Sequence, residues 1–503
     1  MAENTKLANT KQPKAARLGS SALILTASKF AAMAISFATG MMMARFRTLD
    51  ENGTLSQLQT VVSLMVSLLT LGLPNTLNYF ITRAESRAER RQFLSVYYTL
   101  STLFGAVVGL VLVIGTPYIE AYYNNPDIRG FLYFLAVFPW ASIVAGGIEN
   151  LLVAYGRSWG MMWFRIAHSV CYLGIVLFVQ FAGLTFRTFM LIYTVFESVF
   201  AIAVMVIANC LAGGLRISFN GAMIRKIFKY SIPIGLAAVM SKLDIEMDKL
   251  LIGRFFTTGE LGIYSYVARE LPVSDISSAV TAVLLPQFAR MMKKKRENEA
   301  VQLWSHATFI TLSLIALVSA GCFAFAPDVI TLLYSEKYLP GVTVFRIYTL
   351  LILLRCAYFG IMLNTTGHTR FIMFSSIAGL GLNAVLNIAF YYMFGFSGPA
   401  IATLLSVVTI NMVQLIFSSR ILKIPFSKIF PWKQSGMILL INAGFALVFS
   451  LLKYLLPLER YLTSVWESVA LGCVWGVIYI LIMLRPIKRH WKELNSVKIE
   501  LDD

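Results

Sequence analysis

Apolar residues in this chain arrive in blocks long enough to cross a lipid bilayer. Over the 503 residues the blocks fall at approximately 18–45, 55–83, 92–115, 129–155, 159–182, 188–212, 230–256, 262–288, 303–326, 341–366, 370–394, 398–420, 433–455 and 463–484. Roughly 20 apolar residues in a helix span a hydrocarbon layer about 30 Å thick. Inside that layer every backbone N–H and C=O must find a partner within the protein, so only helices and closed barrels can cross. Barrel strands would alternate polar and apolar residues, and these blocks do not. The expected fold is therefore all-α and integral to the membrane, with about 14 transmembrane helices. The composition is 58% hydrophobic and only 14% charged, where a soluble chain carries about a quarter of its residues as charge.

The net charge of +18 would suggest nucleic acid in a soluble protein. Here the basic residues lie in short connections between blocks, where they set orientation. With the N-terminus on the cytoplasmic side, 28 Lys and Arg fall in cytoplasmic segments: both tails, 83–91, Arg157, 216–229, 290–296, Arg370 and 420–433. Only 7 fall outside (Arg45, Arg47, Arg129, Arg187, Arg254, Lys337, Arg460), and 8 lie within blocks. This asymmetry predicts a multi-pass protein with both termini cytoplasmic. The first block is too long for a signal-peptide core and follows a basic tail (Lys6, Lys11, Lys14, Arg17), as a first span would. Five cysteines sit in apolar runs with no CxxC, reading as small buried hydrophobes and not as a disulfide or metal framework.

The chain repeats itself. Arg45, Phe46, Thr48, Gly53 and Ser56 match Arg254, Phe255, Thr257, Gly262 and Ser265 without a gap at an offset of 209. Leu73-Pro74 recurs as Leu285-Pro286, and Tyr155-Gly156-Arg157-Ser158 as Thr366-Gly367-His368-Thr369, at offsets of 212 and 211. The offset spans six blocks, an even number, so both halves enter the membrane in the same direction. The organisation expected is a cytoplasmic tail (1–17), two pseudo-symmetric six-helix bundles (18–215 and 216–425), a C-terminal helix pair (426–485) and a second cytoplasmic tail (486–503).

Motifs in the second half carry a resemblance. The seventh block contains Asp248-Lys249-Leu250-Leu251-Ile252-Gly253, followed by Gly262-Ile263-Tyr264-Ser265 and by Leu284-Leu285-Pro286. Further on come Leu332-Leu333-Tyr334-Ser335-Glu336-Lys337-Tyr338 and Gly398-Pro399-Ala400-Ile401-Ala402-Thr403. Together these resemble the bacterial polysaccharide exporters, the lipid-linked oligosaccharide flippases of the MOP superfamily, over essentially the whole chain. The resemblance implies transport of an undecaprenyl-diphosphate-linked oligosaccharide from the inner to the outer leaflet of the bacterial cytoplasmic membrane. It also implies a hydrophilic cavity between the bundles, with the lipid tail left in the bilayer. The first half departs from the pattern, since Leu49-Asp50-Glu51-Asn52-Gly53-Thr54-Leu55 replaces the usual G-x-Y.

An ionisable side chain at membrane depth is costly and points to function by default. A diphosphate stripped of water needs cations, and Arg offers paired donors. The candidates for holding it are Lys29, Arg165, Lys242, Lys249, Arg269 and Arg355. Candidate coupling or ion-pairing acids are Asp244, Glu246, Asp248 and Glu270. Lys242, Glu246 and Lys249 share one arc of a helix, where simple salt bridging is the competing explanation, while Asp244 and Asp248 lie on nearly the opposite face. Arg346 and Lys453, near block ends, read as snorkelling cations. Asn383, Asn387, Asn411 and Gln414 suit either a glycan or interhelical hydrogen bonds.

Enzyme signatures are missing: the sequence has no GxxxxGK[ST], no HExxH and no Cys/His zinc spacing. The expectation is a transporter with no cofactor. Its partners would be the lipid-linked diphosphate, membrane lipids and other polysaccharide-assembly proteins, with no nucleic acid. The alternatives are a Na⁺- or H⁺-coupled multidrug extruder of the same superfamily, and a membrane glycosyltransferase or polymerase. The outer loops at 117–130 and 327–340 are short for the latter.

Overall fold

The computed structural model describes residues 15–456 and 463–496, with side chains described from Ala27 onward except that of Asn495. Lys6, Lys11, Lys14, the Arg17 side chain, Arg460 and the last residues of the C-terminal tail lie outside that description. The first half contains α1 (Ala15–Phe46), α2 (Leu49–Thr70), α3 (Thr76–Arg83), α4 (Arg87–Tyr123), α5 (Leu132–Ala145), α6 (Ile148–Ala154), α7 (Ser158–Phe181) and α8 (Phe186–Ala212). Next come α9 (Gly221–Phe255), α10 (Thr258–Val267), α11 (Asp275–Lys293), α12 (Glu297–Ala324), α13 (Ala326–Leu333), α14 (Val342–Leu353) and α15 (Ile361–Thr365). The chain continues with α16 (Thr369–Phe394), α17 (Gly398–Leu422), α18 (Phe426–Ile429), α19 (Trp432–Leu455) and α20 (Ser464–Ser496). No strand occurs among the described residues. The fold is all-α, as the apolar blocks require. Among the described residues, eleven helical stretches are long and apolar enough to cross a membrane, one of them holding both α16 and α17. The charged α9 and the short α14 fall outside that group.

Four expected spans are interrupted. Between α2 and α3 the backbone takes positive φ at Leu71 and Gly72, and Pro74 then sits in a 3-10 turn. Gly146 and Gly147 separate α5 from α6. Ala268–Leu271 and a 3-10 turn at Pro272–Ser274 separate α10 from α11. Residues 354–360 separate α14 from α15. The α5/α6 and α14/α15 breaks are repeat-related. Pro139, Pro233 and Pro286, by contrast, are carried inside continuous helices.

By contacts the described chain forms two compact units. One comprises residues up to Met43, Val61–Ala121 and Pro126–Val239. In it, α4 packs on α5 through Gly105 and Gly109: a Cβ there would lie 2.5 Å from the Trp140 Cα and 2.2 Å from the Ala136 carbonyl oxygen. Small residues four apart let two membrane helices approach at backbone distance, the usual way such helices associate where no hydrophobic effect drives them.

The other unit comprises Ala44–Thr60, Tyr122–Asn125 and the chain from Met240 onward. Here the sequence repeat becomes a physical symmetry. The α2 and α10 starts carry the same capping pair, Thr48 with Glu51 and Thr257 with Glu260, each side chain reaching back to the other residue's backbone N–H at 2.8–3.2 Å. The helices therefore begin at Leu49 and Thr258, several residues before the apolar blocks. Their contact is reciprocal: a Cβ on Gly53 would meet the Thr258 carbonyl oxygen at 1.9 Å, and one on Gly262 the Leu49 carbonyl oxygen at 2.2 Å. Ser56 and Ser265, 209 residues apart, share a hydrogen bond of 2.6 Å. Arg254 Nη1 donates to the Tyr122 carbonyl at 3.0 Å, and its repeat partner Arg45 donates to the carbonyl of Leu332 at the end of α13. Each arginine thus neutralises the carbonyl end of a helix from the opposite half of the sequence.

Cysteine placement differs from the sequence reading. All five are free, but Cys171, Cys210 and Cys473 are exposed on their helices and only Cys356 is fully buried. An apolar run in a membrane helix faces lipid as readily as protein, so hydropathy does not distinguish the two.

Candidate substrate and coupling sites

In the first unit the two helix breaks are tied together. The Asn150 amide donates to the Pro74 carbonyl at 3.0 Å, supplying a partner for backbone that the α2/α3 break leaves open. Asn78 donates in turn to Asn150 at 2.9 Å. Next to Asn150, Glu149 accepts an ion pair of 2.7 Å from Arg165 on α7. Arg165 also donates to Ser28 at 3.2 Å, which draws α1 into the same cluster. Lys29 is exposed beside Ser28 on α1. His168 pairs with Glu197 at 3.1 Å.

The second unit repeats the plan with charge. Arg355 lies in the α14/α15 break and holds Glu270, in the α10/α11 break, at 2.9 Å through Nη2 and 3.1 Å through Nε. Two carbonyls of that break also accept side-chain donors: Cys356 from Thr311 at 2.6 Å and Leu354 from Asn411 at 3.4 Å. Arg269 stands beside Glu270, exposed, and its guanidinium has no hydrogen bond or ion pair among the described residues. Discontinuous membrane helices are where transporters place polar chemistry, because irregular backbone is tolerated only against protein or water.

On α9 the two opposed charged faces predicted from helical spacing are present. Glu246 accepts from both Lys242 and Lys249 at 2.9 Å, and from Thr60 at 3.2 Å. The other face carries Asp248, 3% exposed. Its carboxylate accepts from Tyr264 at 2.9 Å, Tyr348 at 3.0 Å, Asn387 at 3.2 Å and Thr403 at 3.0 Å. Among the described residues no Lys or Arg pairs with it. Asp244, one turn earlier, accepts from Asn383 at 3.0 Å, and Asn383 accepts from Asn387 at 2.9 Å. Five helices (α9, α10, α14, α16 and α17) thus converge on a pair of carboxylates lined by neutral oxygens and amides.

Of the candidate residues, the structure joins Arg355 to Glu270 and Lys242 and Lys249 to Glu246, and it places Arg165 in a separate cluster. Asn383 and Asn387 bond other helices, as does Gln414, which donates to Ser375 at 3.4 Å. Lys453 differs from the snorkelling expectation. It pairs with Asp328 and donates to Ser464 and Ser468 at 3.0 and 2.8 Å, because α13 and α20 bring those acceptors to the end of α19. Arg346 Nε donates to the Phe323 carbonyl at 3.2 Å. Sequence reasoning missed Tyr264, Tyr348 and Thr403 as partners of Asp248. Tyr264 and Thr403 were visible only as parts of motifs.

The family model described as "Polysaccharide biosynthesis protein" matches residues 42–343. The chain belongs to the polysaccharide biosynthesis protein family. That family agrees with the resemblance to polysaccharide exporters carried by the motifs of the second half. It is 25% identical over 305 residues to the teichuronic acid biosynthesis protein TuaB of Bacillus subtilis, an alignment covering 56% of each chain. Its fold matches a solved lipid II flippase, MurJ, in an inward closed conformation, with a TM-score of 0.67 and 14% identity over 92% of this chain and 99% of that one. An inward-facing multidrug resistance MATE family transporter matches with a TM-score of 0.62 and 14% identity, over 80% of this chain and 98% of that one. The fold of this polysaccharide biosynthesis protein is therefore one shared by lipid flippases and drug transporters.

Proposed function

We propose that this protein flips a lipid-diphosphate-linked oligosaccharide, with undecaprenyl as the lipid, across the bacterial cytoplasmic membrane by alternating access, both termini being cytoplasmic. The observation that carries this reading is the placement of Arg269 and Arg355 at the breaks of discontinuous helices. Arg269 offers an uncommitted fork of donors, and Arg355 is held by a single carboxylate that a diphosphate could replace. Lys249 and Lys242 are further candidate cations in the same unit, and Arg165 and Lys29 are the candidate cations of the other unit. Family membership and the MurJ-like fold support a lipid-linked substrate.

In this reading Asp248 and Asp244 are the coupling acids. A carboxylate buried with only hydroxyl and amide partners exchanges readily between a proton or a hard monovalent cation and its own hydrogen-bond network, since oxygen ligands suit such ions. The same network would serve a cation-coupled drug extruder, which is the second reading and is favoured by the MATE-like fold. Binding separates the two. A short-chain polyprenyl diphosphate oligosaccharide should bind the purified protein in nanodiscs. Arg269→Ala and Arg355→Ala should each weaken binding about tenfold or more, the loss expected for a charge-assisted hydrogen bond of about 1.5–3 kcal/mol. Equal binding by wild type and both variants, or binding of cationic dyes alone, contradicts the assignment.

A further inference from the structure

Near the C-terminal end of α20, three side chains that serve no part of the transport chemistry converge on one point. His306 on α12 and His490 on α20 face each other through Nδ1 atoms 2.7 Å apart. Glu493, one turn beyond His490, brings an oxygen 3.2 Å from His306 Nδ1 and 4.0 Å from His490 Nδ1. Two imidazole lone pairs cannot face each other across that gap unaided, so a proton or a metal ion must lie between them. The three separations bracket the roughly 3.3 Å that parts ligand atoms set about 2.0–2.1 Å from a tetrahedral metal.

We propose that His306, His490 and Glu493 form a binding site for a divalent transition metal of the zinc type, pinning the end of α20 to α12. Two imidazoles and a carboxylate are a donor set that suits Zn²⁺, and also Co²⁺ or Ni²⁺. The surroundings hold the ligands in place. His490 stacks on Phe309 with ring centroids 4.0 Å apart, which fixes its plane. Arg489 Nε donates to the other oxygen of Glu493 at 3.1 Å and so orients the carboxylate. Glu493 is 38% exposed, leaving the fourth tetrahedral position open to water. Helical spacing puts His490 and Glu493 on one face, and α12 supplies the third ligand from 184 residues away. By the charge asymmetry of the loops this end of α20 faces the cytoplasm, where such ions are bound by proteins in competition.

The test uses untagged full-length protein, stripped with chelator and titrated with Co²⁺. Wild type should bind one equivalent with the intense visible absorption of tetrahedral Co²⁺, and Zn²⁺ should displace it and raise the unfolding midpoint. His306→Ala and His490→Ala should each lose the band and weaken binding more than about 100-fold, beyond the 10–100-fold typical of an outer-shell change. His368→Ala should behave as wild type. Because His490 is packed on Phe309, Glu493→Gln at the more exposed position gives an independent arm with the same expected weakening. Absence of the band in wild type, or its survival in His306→Ala and Glu493→Gln, would leave the pair of histidines as a plain hydrogen bond and overturn the proposal.

Discussion

Asp248→Ala is expected to destabilise the protein by roughly 3–5 kcal/mol, from four donors that lose this acceptor, two of them (Tyr264 and Asn387) fully buried, at about 1–3 kcal/mol each, partly relieved by water and by the Asn383 amide oxygen. Tyr264, Tyr348, Asn387 and Thr403 all donate to this one carboxylate, so no single repacking can satisfy them. Asp248→Asn keeps the volume and one acceptor oxygen and should cost far less. The pair of variants separates two roles. Equilibrium unfolding in mixed micelles should rank wild type, Asn and Ala in descending stability, while transport should lose its dependence on the ion gradient in both. An Asn variant with intact coupling would remove Asp248 from the coupling role and leave it as a structural hub. Thr60→Val, which removes a donor to Glu246 on the other face of α9, should leave coupling intact.

The crossing of α2 and α10 gives the second large effect. Gly53→Ala and Gly262→Ala each place a methyl group within 1.9–2.2 Å of a backbone carbonyl oxygen. Backbone cannot rotate away as a side chain can, so each change should cost about 1–3 kcal/mol, toward the upper end, by forcing the helices apart. The symmetry of the contact predicts similar losses for the two single variants. Their combination should cost less than the sum, because once the helices have separated the second methyl meets nothing. Gly444→Ala on α19 is the control. Nothing lies within 4 Å of its added methyl, so a helix interior that trades Gly for Ala should be unchanged or stabilised by up to about 1 kcal/mol. The readout is the unfolding midpoint of the same micellar preparation. Equal tolerance at Gly53 and Gly444 would mean that the close crossing is not maintained in the membrane.

The helical fold was legible because lipid leaves a chain few options: a long apolar block must be a helix whatever its residues prefer. The repeat was legible for a related reason, since Arg45/Arg254, Gly53/Gly262 and Ser56/Ser265 keep their identities where they touch one another or cap the same kind of helix end. Helix starts were misjudged because apolarity marks where lipid begins and not where the backbone coils. Thr48 and Glu51, with the spacing of a capping box, carried the true boundary in plain view. Glu51 stood in a stretch noted only for its departure from the G-x-Y pattern, whereas it is the reciprocal cap of α2. The α2/α3, α5/α6 and α14/α15 breaks were invisible to hydropathy, because Leu71, Gly146 and, Arg355 apart, the stretch after Leu353 remain apolar while their backbone leaves the helix. The setting of Asp248 could not be read at all. Its four donors come from α10, α14, α16 and α17, and only the folded chain brings Tyr348 and Asn387 to a residue 100 and 139 positions away.

Flipping in proteoliposomes measures translocation of a lipid-linked diphosphate itself. Purified protein would be reconstituted with a fluorescent undecaprenyl-diphosphate oligosaccharide, and exposure of the label to an impermeant quencher followed under Na⁺ and H⁺ gradients. Wild type is expected to accelerate the exchange between leaflets, Arg269→Ala and Arg355→Ala to slow it at least about tenfold, and Asp248→Asn to abolish the gradient's effect. No acceleration by wild type under either gradient, together with export of a cationic dye, would contradict lipid translocation and assign the fold to drug transport.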